Sequence, residues 1–214
     1  MKKLDILYED DYLLIVNKRS NLLTIATDKE RTKNLYYEVS AYVKKKHKNN
    51  KIFIVNRLDR ETSGLVIFAK RFDIKEKMQL NFSEVRRFYL AMVEGSIASQ
   101  DVTLNIKENK ASFKSYPDKS GVLTKTNIRL IKDFKKYSFI EIEILTGKKH
   151  QIRCTLEYLN HPIIGDKKYS STMNPFRRIM LHAYKLIFIH PVTMKKIEVE
   201  TKVPANFLKM MEVL

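Results

Sequence analysis

Asp59 stands between Arg57 and Arg60 in the run Asn56-Arg57-Leu58-Asp59-Arg60-Glu61-Thr62-Ser63-Gly64, directly ahead of the apolar residues Leu65-Val66-Ile67-Phe68-Ala69. Guanidinium groups stay charged at any workable pH, which is company that suits an anionic oxygen. A carboxylate held at the mouth of a strand can serve as nucleophile or base, and the flanking arginines can hold a phosphate backbone. A second cluster is Gly147-Lys148-Lys149-His150-Gln151-Ile152-Arg153. If it opens a helix, His150 and Arg153 share a face and Gln151 turns away from them. Two lysines and a histidine oppose the dipole at a helix N-terminus, so the local sequence predicts an anion there. Between the two clusters lies Arg87-Phe88-Tyr89-Leu90-Ala91-Met92-Val93-Glu94-Gly95. Its Tyr89 offers a ring face for stacking and a hydroxyl that donates and accepts.

Each of these features has an ordinary alternative. Most exposed ion pairs contribute little, and tyrosines are common in strands simply because they pack there.

The elements that must position these residues are mostly strands. Leu4–Tyr8 and Tyr12–Asn17 read as two strands about the acidic turn Glu9-Asp10-Asp11. Leu35, Val39 and Val43 recur at a spacing of four, which predicts a helix over 34–47 with a basic C-terminal end. Apolar strands over 52–55 and 65–69 flank the Asp59 loop, and 73–82 reads as a second helix. Strands follow over 87–94, 102–106, 112–116, 123–131 and 138–145. A helix over 150–159 places Ile152, Leu156 and Leu159 on one face, strands return over 179–189 and 197–201, and Pro204 opens a last helix. The order is that of a largely antiparallel α+β domain, and 214 residues suit a single domain, 1–214.

A net charge of +17, from 41 Lys+Arg against 24 Asp+Glu, predicts a polyanionic partner, RNA or DNA first and an anionic membrane surface second. The lone Cys154 excludes a disulfide framework and a cysteine-built zinc site, and it points to a reducing cytoplasm. Lys2 and Lys3 lead into acidic residues rather than an apolar signal region, and no apolar run is long enough to span a bilayer. His182 and His190 lack a third ligand nearby in sequence, so no metal site is expected from them. No phosphate-binding glycine loop or dinucleotide fingerprint is present, so no cofactor is expected.

The Asp59 string resembles the Arg-Leu-Asp-x-x-Thr-Ser-Gly signature of the RluA family of pseudouridine synthases. The Tyr89 strand is similar to that family's Lys-x-Tyr-x-Ala-x-Val-x-Gly segment, with Arg87 in place of lysine. The 147–153 cluster is similar to its Gly-Arg-x-His-Gln-Ile-Arg segment, with Lys148 in place of arginine. Pro162-Ile163-Ile164-Gly165-Asp166 with Tyr169, and the run through His182 and His190, resemble further segments and read as scaffold. Asn56 stands where many members have histidine, Lys18-Arg19-Ser20-Asn21 replaces a Lys-Pro-Ala-Gly turn, and Thr155 stands where histidine is common.

The resemblance implies an isomerase that turns uridine into pseudouridine within ribosomal or transfer RNA. It implies a long mixed, largely antiparallel sheet bisected by an active-site cleft, here without the N-terminal S4-type module that some members add. Asp59, Tyr89 and Arg153 would be catalytic, with Arg153 paired to the aspartate. Arg57, Arg60, Arg87, Lys148, Lys149 and His150 would bind RNA, and a monomer is the simplest expectation. One rival is a catalytically inactive RNA-binding or ribosome-assembly protein on the same fold. Another is a metal-dependent nuclease using Glu141 and Glu143, whose alternation reads better as the solvent side of a sheet.

Overall fold

The computed structural model describes residues 3–212, so Lys2 and the ends of the 1–214 span lie outside the described residues. The described residues form an α+β fold with eleven strands and four α-helices. They divide into two compact units, one of residues up to Val85 with Ala183–Lys202, the other of Arg86–His182 with the chain from Val203.

In the first unit, β1 (Ile6–Glu9) and β2 (Leu13–Lys18) form a hairpin, and β2 pairs antiparallel with β4 (Ser63–Ala69). The short β3 (Phe53–Ile54) also pairs with β4. All seven residues of β4 are buried, as a continuous apolar run requires when both faces of a strand are covered. One face packs with Ile74 and Met78 of α2 (Phe72–Leu80), the other with Leu35, Val39 and Val43 of α1 (Leu35–Lys46). Asn34 caps α1, its side chain accepting from the Tyr37 amide at 2.9 Å. Two of the other orphan amides at that end, Leu35 and Tyr36, donate to the carbonyls of Leu23 and Thr24. Thus α1 anchors the segment that precedes it.

β10 (Leu181–Ile189), from residue 183 on, and β11 (Lys196–Glu200) complete this unit. Gly64 opens β4 at φ 121°, and a Cβ there would collide with the Ala183 backbone. Only glycine satisfies both demands.

In the second unit the strand order is β5 (Arg86–Glu94), β9 (Tyr137–Ile144), β8 (Val122–Asp133), β6 (Gln100–Asn109) and β7 (Lys114–Pro117), with antiparallel neighbours. β6 and β8 run several residues beyond the apolar stretches that announce them, because ladder hydrogen bonds continue through polar residues once register is set. α3 (Gln151–Tyr158) buries residues 151–156 in this unit, and α4 (Ala205–Glu212) follows Pro204. No helix among the described residues is long and apolar enough to cross a membrane.

Candidate active site

The Asp59 loop, residues 55–62, joins β3 to β4. Asn56 extends the ladder at its start, its side-chain oxygen accepting from the Ile67 amide at 2.8 Å. The residues on either side of Asp59 are held by side chains from 18–24. Thr24 Oγ1 donates to the Leu58 carbonyl at 2.6 Å and accepts from the Leu58 amide at 3.2 Å. Lys18, fully buried, donates its ammonium to the carbonyls of Leu22 at 2.6 Å, Arg60 at 3.0 Å and Arg19 at 3.3 Å. Ser20 Oγ donates to the Glu61 carbonyl at 2.6 Å. A buried ammonium persists only when so hydrogen-bonded. Asn21 takes φ 61°, the left-handed conformation that asparagine tolerates best after glycine. Asp59 itself is half-buried, and Arg57 and Arg60 are exposed beside it.

Tyr89 lies on β5 opposite Ile142 and is half-buried. Arg87, two residues earlier and on the same strand face, is buried, and its Nη2 donates to the Ile144 carbonyl at 3.4 Å. Desolvation lowers the Arg87 pKa, and the electrostatic interaction with Tyr89 opposes that shift. A Cβ at residue 147 would lie 2.7 Å from Arg87 Nη1, so Gly147 leaves room for the guanidinium.

His150 and Arg153 of the 147–153 cluster both reach Tyr169, as a shared face would have them. Gln151 has separate partners. It is buried, donating to the Lys125 carbonyl and Thr126 Oγ1 at 3.0 Å each and accepting from Thr146 Oγ1 at 2.9 Å and the Lys148 amide at 3.1 Å. All four of its hydrogen-bonding positions are used, which ties the loop to β8. His150 is the residue before the helix, left-handed at φ 54°, rather than part of its first turn.

The conflict of three cationic residues at this N-terminus is partly relieved from within. Burial, reinforced by the charges of Arg153, Lys168 and Lys149, lowers His150 to about 4, so the ring is neutral at physiological pH. Lys149 forms an ion pair with Glu108 and stands over the Phe113 ring. Lys148 is exposed.

Arg153 is buried and forms a two-pronged pair with Asp166, Nε to Oδ2 at 2.6 Å and Nη2 to Oδ1 at 2.7 Å. Its guanidinium lies 4.9 Å from the centre of the Tyr169 ring. The Tyr169 hydroxyl accepts from the Ser115 amide at 2.8 Å and lies 2.9 Å from His150 Nδ1. Desolvation raises Tyr169 to about 12, which keeps the phenol protonated at working pH.

Asp166 is placed by the 162–166 segment. Ile163 bridges to Val93, the Ile164 amide donates to the Met92 carbonyl, and Gly165 turns at φ 84° against the Arg178 backbone. Asp166 and Tyr169 read as scaffold in the sequence, but in the structure both touch Arg153. The clue was the apolar Pro162-Ile163-Ile164 run ending in a turn with a carboxylate after it.

Two other departures behave differently from each other. Asn56 has a defined role, while Thr155 Oγ1 is buried with no hydrogen-bond partner among the described residues. Glu141 and Glu143 are each paired, with Arg129 at 2.9 Å and Arg86 at 2.7 Å, as an ordinary sheet face would have them. His190 is buried and lies 2.9 Å from Asp10.

Known proteins resemble this chain along its length. Residues 12–158 match the profile of a family described as RNA pseudouridylate synthase. The tRNA pseudouridine synthase C of Pasteurella multocida is 28% identical, over 98% of this chain and 96% of its own length. The ribosomal large subunit pseudouridine synthase D of Neisseria meningitidis is 29% identical, over 99% of this chain and 61% of its own length. A solved structure, human RNA pseudouridylate synthase domain containing 4, superposes with a TM-score of 0.80 at 20% identity, covering 97% of this chain and 92% of that one. This last likeness concerns the fold.

Proposed function

The chain belongs to the RNA pseudouridylate synthase family, isomerases of uridine in RNA, and on that premise we propose that Asp59 carries the reaction with Tyr89 and Arg153 as its catalytic partners. The observation that carries this reading is that the matched span, 12–158, includes all three residues and the loop whose backbone is fixed around Asp59. We propose that the chain is a single catalytic domain.

Exposed lysine and arginine side chains, Arg57, Arg60, Lys148 and Lys149 among them, bind the RNA backbone with release of counterions, while Arg87, buried two residues before Tyr89, is not among the backbone contacts. His150, neutral at working pH, contributes a hydrogen bond rather than a charge. The target uridine leaves its stack, at a cost of roughly a few kcal/mol. Arg57 stands at the vacated position and Tyr89 stacks on the extruded base. Asp59 acts on the nucleotide as nucleophile or as base. The N1–C1′ bond breaks, the uracil turns, C5 bonds to C1′, C5 gives up its proton and N1 gains one. Tyr89 is the base that takes the C5 proton. Atoms and electrons balance within the nucleotide, so the reaction asks for no redox partner and no cofactor.

The relatives named for transfer RNA and for the large ribosomal subunit support one of those RNAs as substrate. We place the enzyme in the cytoplasm, as a monomer, with no membrane partner.

Asp59→Asn keeps the size of the side chain and removes its charge. The expected result is loss of pseudouridine formation with RNA affinity retained. Product formed by the variant at the wild-type rate would refute the assignment of Asp59, whereas no product from the wild-type chain itself would favour the inactive RNA-binding reading.

A further inference from the structure

Past Val55, whose amide donates to the Ile67 carbonyl, the described Asp59 loop continues to residue 62 outside any strand, yet a reacting carboxylate must be held to a fraction of an ångström. Its neighbours are held by side chains, and one of these grips both polar groups of a single residue. Thr24, 3% exposed, turns its hydroxyl to the backbone of Leu58, the residue immediately before Asp59. Oγ1 donates to the carbonyl at 2.6 Å and accepts from the amide at 3.2 Å. Together the two bonds fix the peptide planes on both sides of the Leu58 Cα, and hence the direction in which the Asp59 Cα leaves.

Thr24 is itself held. Its carbonyl accepts from the Tyr36 amide at 3.0 Å, and the neighbouring Leu23 carbonyl accepts from Leu35 at 2.8 Å. The first turn of α1 is therefore the fixed point, and Thr24 is the link from that helix to the loop. On the far side of Asp59, Lys18 and Ser20 hold the carbonyls of Arg60 and Glu61.

We propose that Thr24 is a positioning residue for Asp59, its hydroxyl setting the backbone from which the carboxylate is presented. The proposal rests on the assignment of Asp59 as the reacting group.

Thr24→Val keeps the shape and removes both bonds, Thr24→Ser keeps both, and Thr24→Cys replaces the hydroxyl by a weak donor and acceptor. Each is assayed for pseudouridine formation on purified substrate RNA at a temperature well below its own unfolding midpoint. The expected order of kcat is wild type and Ser together, then Cys, then Val, with Val down by about tenfold to a hundredfold, the scale of a small misplacement of a reacting group. KM and RNA affinity stay within about twofold, because the loop chemistry and not RNA docking is disturbed.

If Thr24→Val does not fold, the Ser and Cys pair decides, since both retain the packing of a small polar side chain. A Cys variant at full kcat, a Val variant at full kcat, or Ser and Val falling alike would each overturn the proposal. Asp59→Asn measured alongside separates the two claims. An active Asp59→Asn refutes the assignment of Asp59, whereas an inactive Asp59→Asn with a fully active Thr24→Val refutes the clamp alone.

Discussion

Asp166→Asn is the most informative single perturbation of the second unit. The Arg153 and Asp166 side chains are 4% and 1% exposed, and their pair has two bonds at 2.6 and 2.7 Å. The substitution keeps the volume but turns one accepting oxygen into a donor facing a guanidinium. Breaking a buried pair by removing one charge costs roughly 3–5 kcal/mol, because the remaining charge stays desolvated. The Tyr169 ring still faces the guanidinium in the variant, so the lower end applies. For a chain of this size that corresponds to a fall in the unfolding midpoint on the order of 10 °C.

Thermal unfolding followed by circular dichroism measures it directly. The double variant Arg153→Met with Asp166→Leu removes both charges and fills the space, and should recover most of the lost midpoint while remaining inactive. An Asp166→Asn midpoint within about 2 °C of wild type would show that the pair contributes little and refute the reasoning.

Three further outcomes follow from buried groups. The folded chain holds His150 neutral down to about 4, whereas an unfolded imidazole takes its proton near 6.5. Between those values the unfolded state binds the extra proton, so stability falls as pH drops through that window. Unfolding midpoints compared at pH 7 and pH 4.5 should decline less in His150→Asn than in wild type, and an equal decline would contradict the buried neutral ring. Thr155→Val replaces an unsatisfied buried hydroxyl by a methyl and should raise stability by about 1 kcal/mol, read from chemical denaturation. Gly64→Ala meets both a left-handed backbone and the Ala183 peptide, and should lower the unfolding midpoint by several degrees or prevent soluble folding.

How much of this was legible in the sequence depended on whether a residue's role is local. The spacing of Leu35, Val39 and Val43 announced α1 to within a residue at each end, because an amphipathic face is written in consecutive turns. The unbroken apolar run of β4 announced a strand covered on both faces, although it opens two residues earlier, at Ser63, through ladder bonds that any residue can make. The predicted 52–55 strand shrank to Phe53–Ile54; the Val55 amide still donates to the Ile67 carbonyl, and the Asn56 side chain answers from the Ile67 amide, which ends the regular ladder there.

In the candidate site, the motif residues stood out by type and spacing, but their supports did not. Thr24 lies 34 positions from Leu58, and Asp166 lies 13 from Arg153. Nothing in a threonine within Asn21-Leu22-Leu23-Thr24 signals a backbone partner so far along the chain. The left-handed His150 and the inward Gln151 were equally hidden, because a helix pattern read from spacing assumes the helix starts where the pattern does.

The central claim is that Asp59 isomerises uridines in a stable cellular RNA. The most direct measurement maps pseudouridine, by chemical labelling, across ribosomal and transfer RNAs from a strain deleted for this gene and carrying either the wild-type or the Asp59→Asn chain. At least one uridine should be unmodified in the deletion, restored by the wild-type chain and left unmodified by the variant. Identical maps in all three strains, or restoration by the variant, would contradict the account.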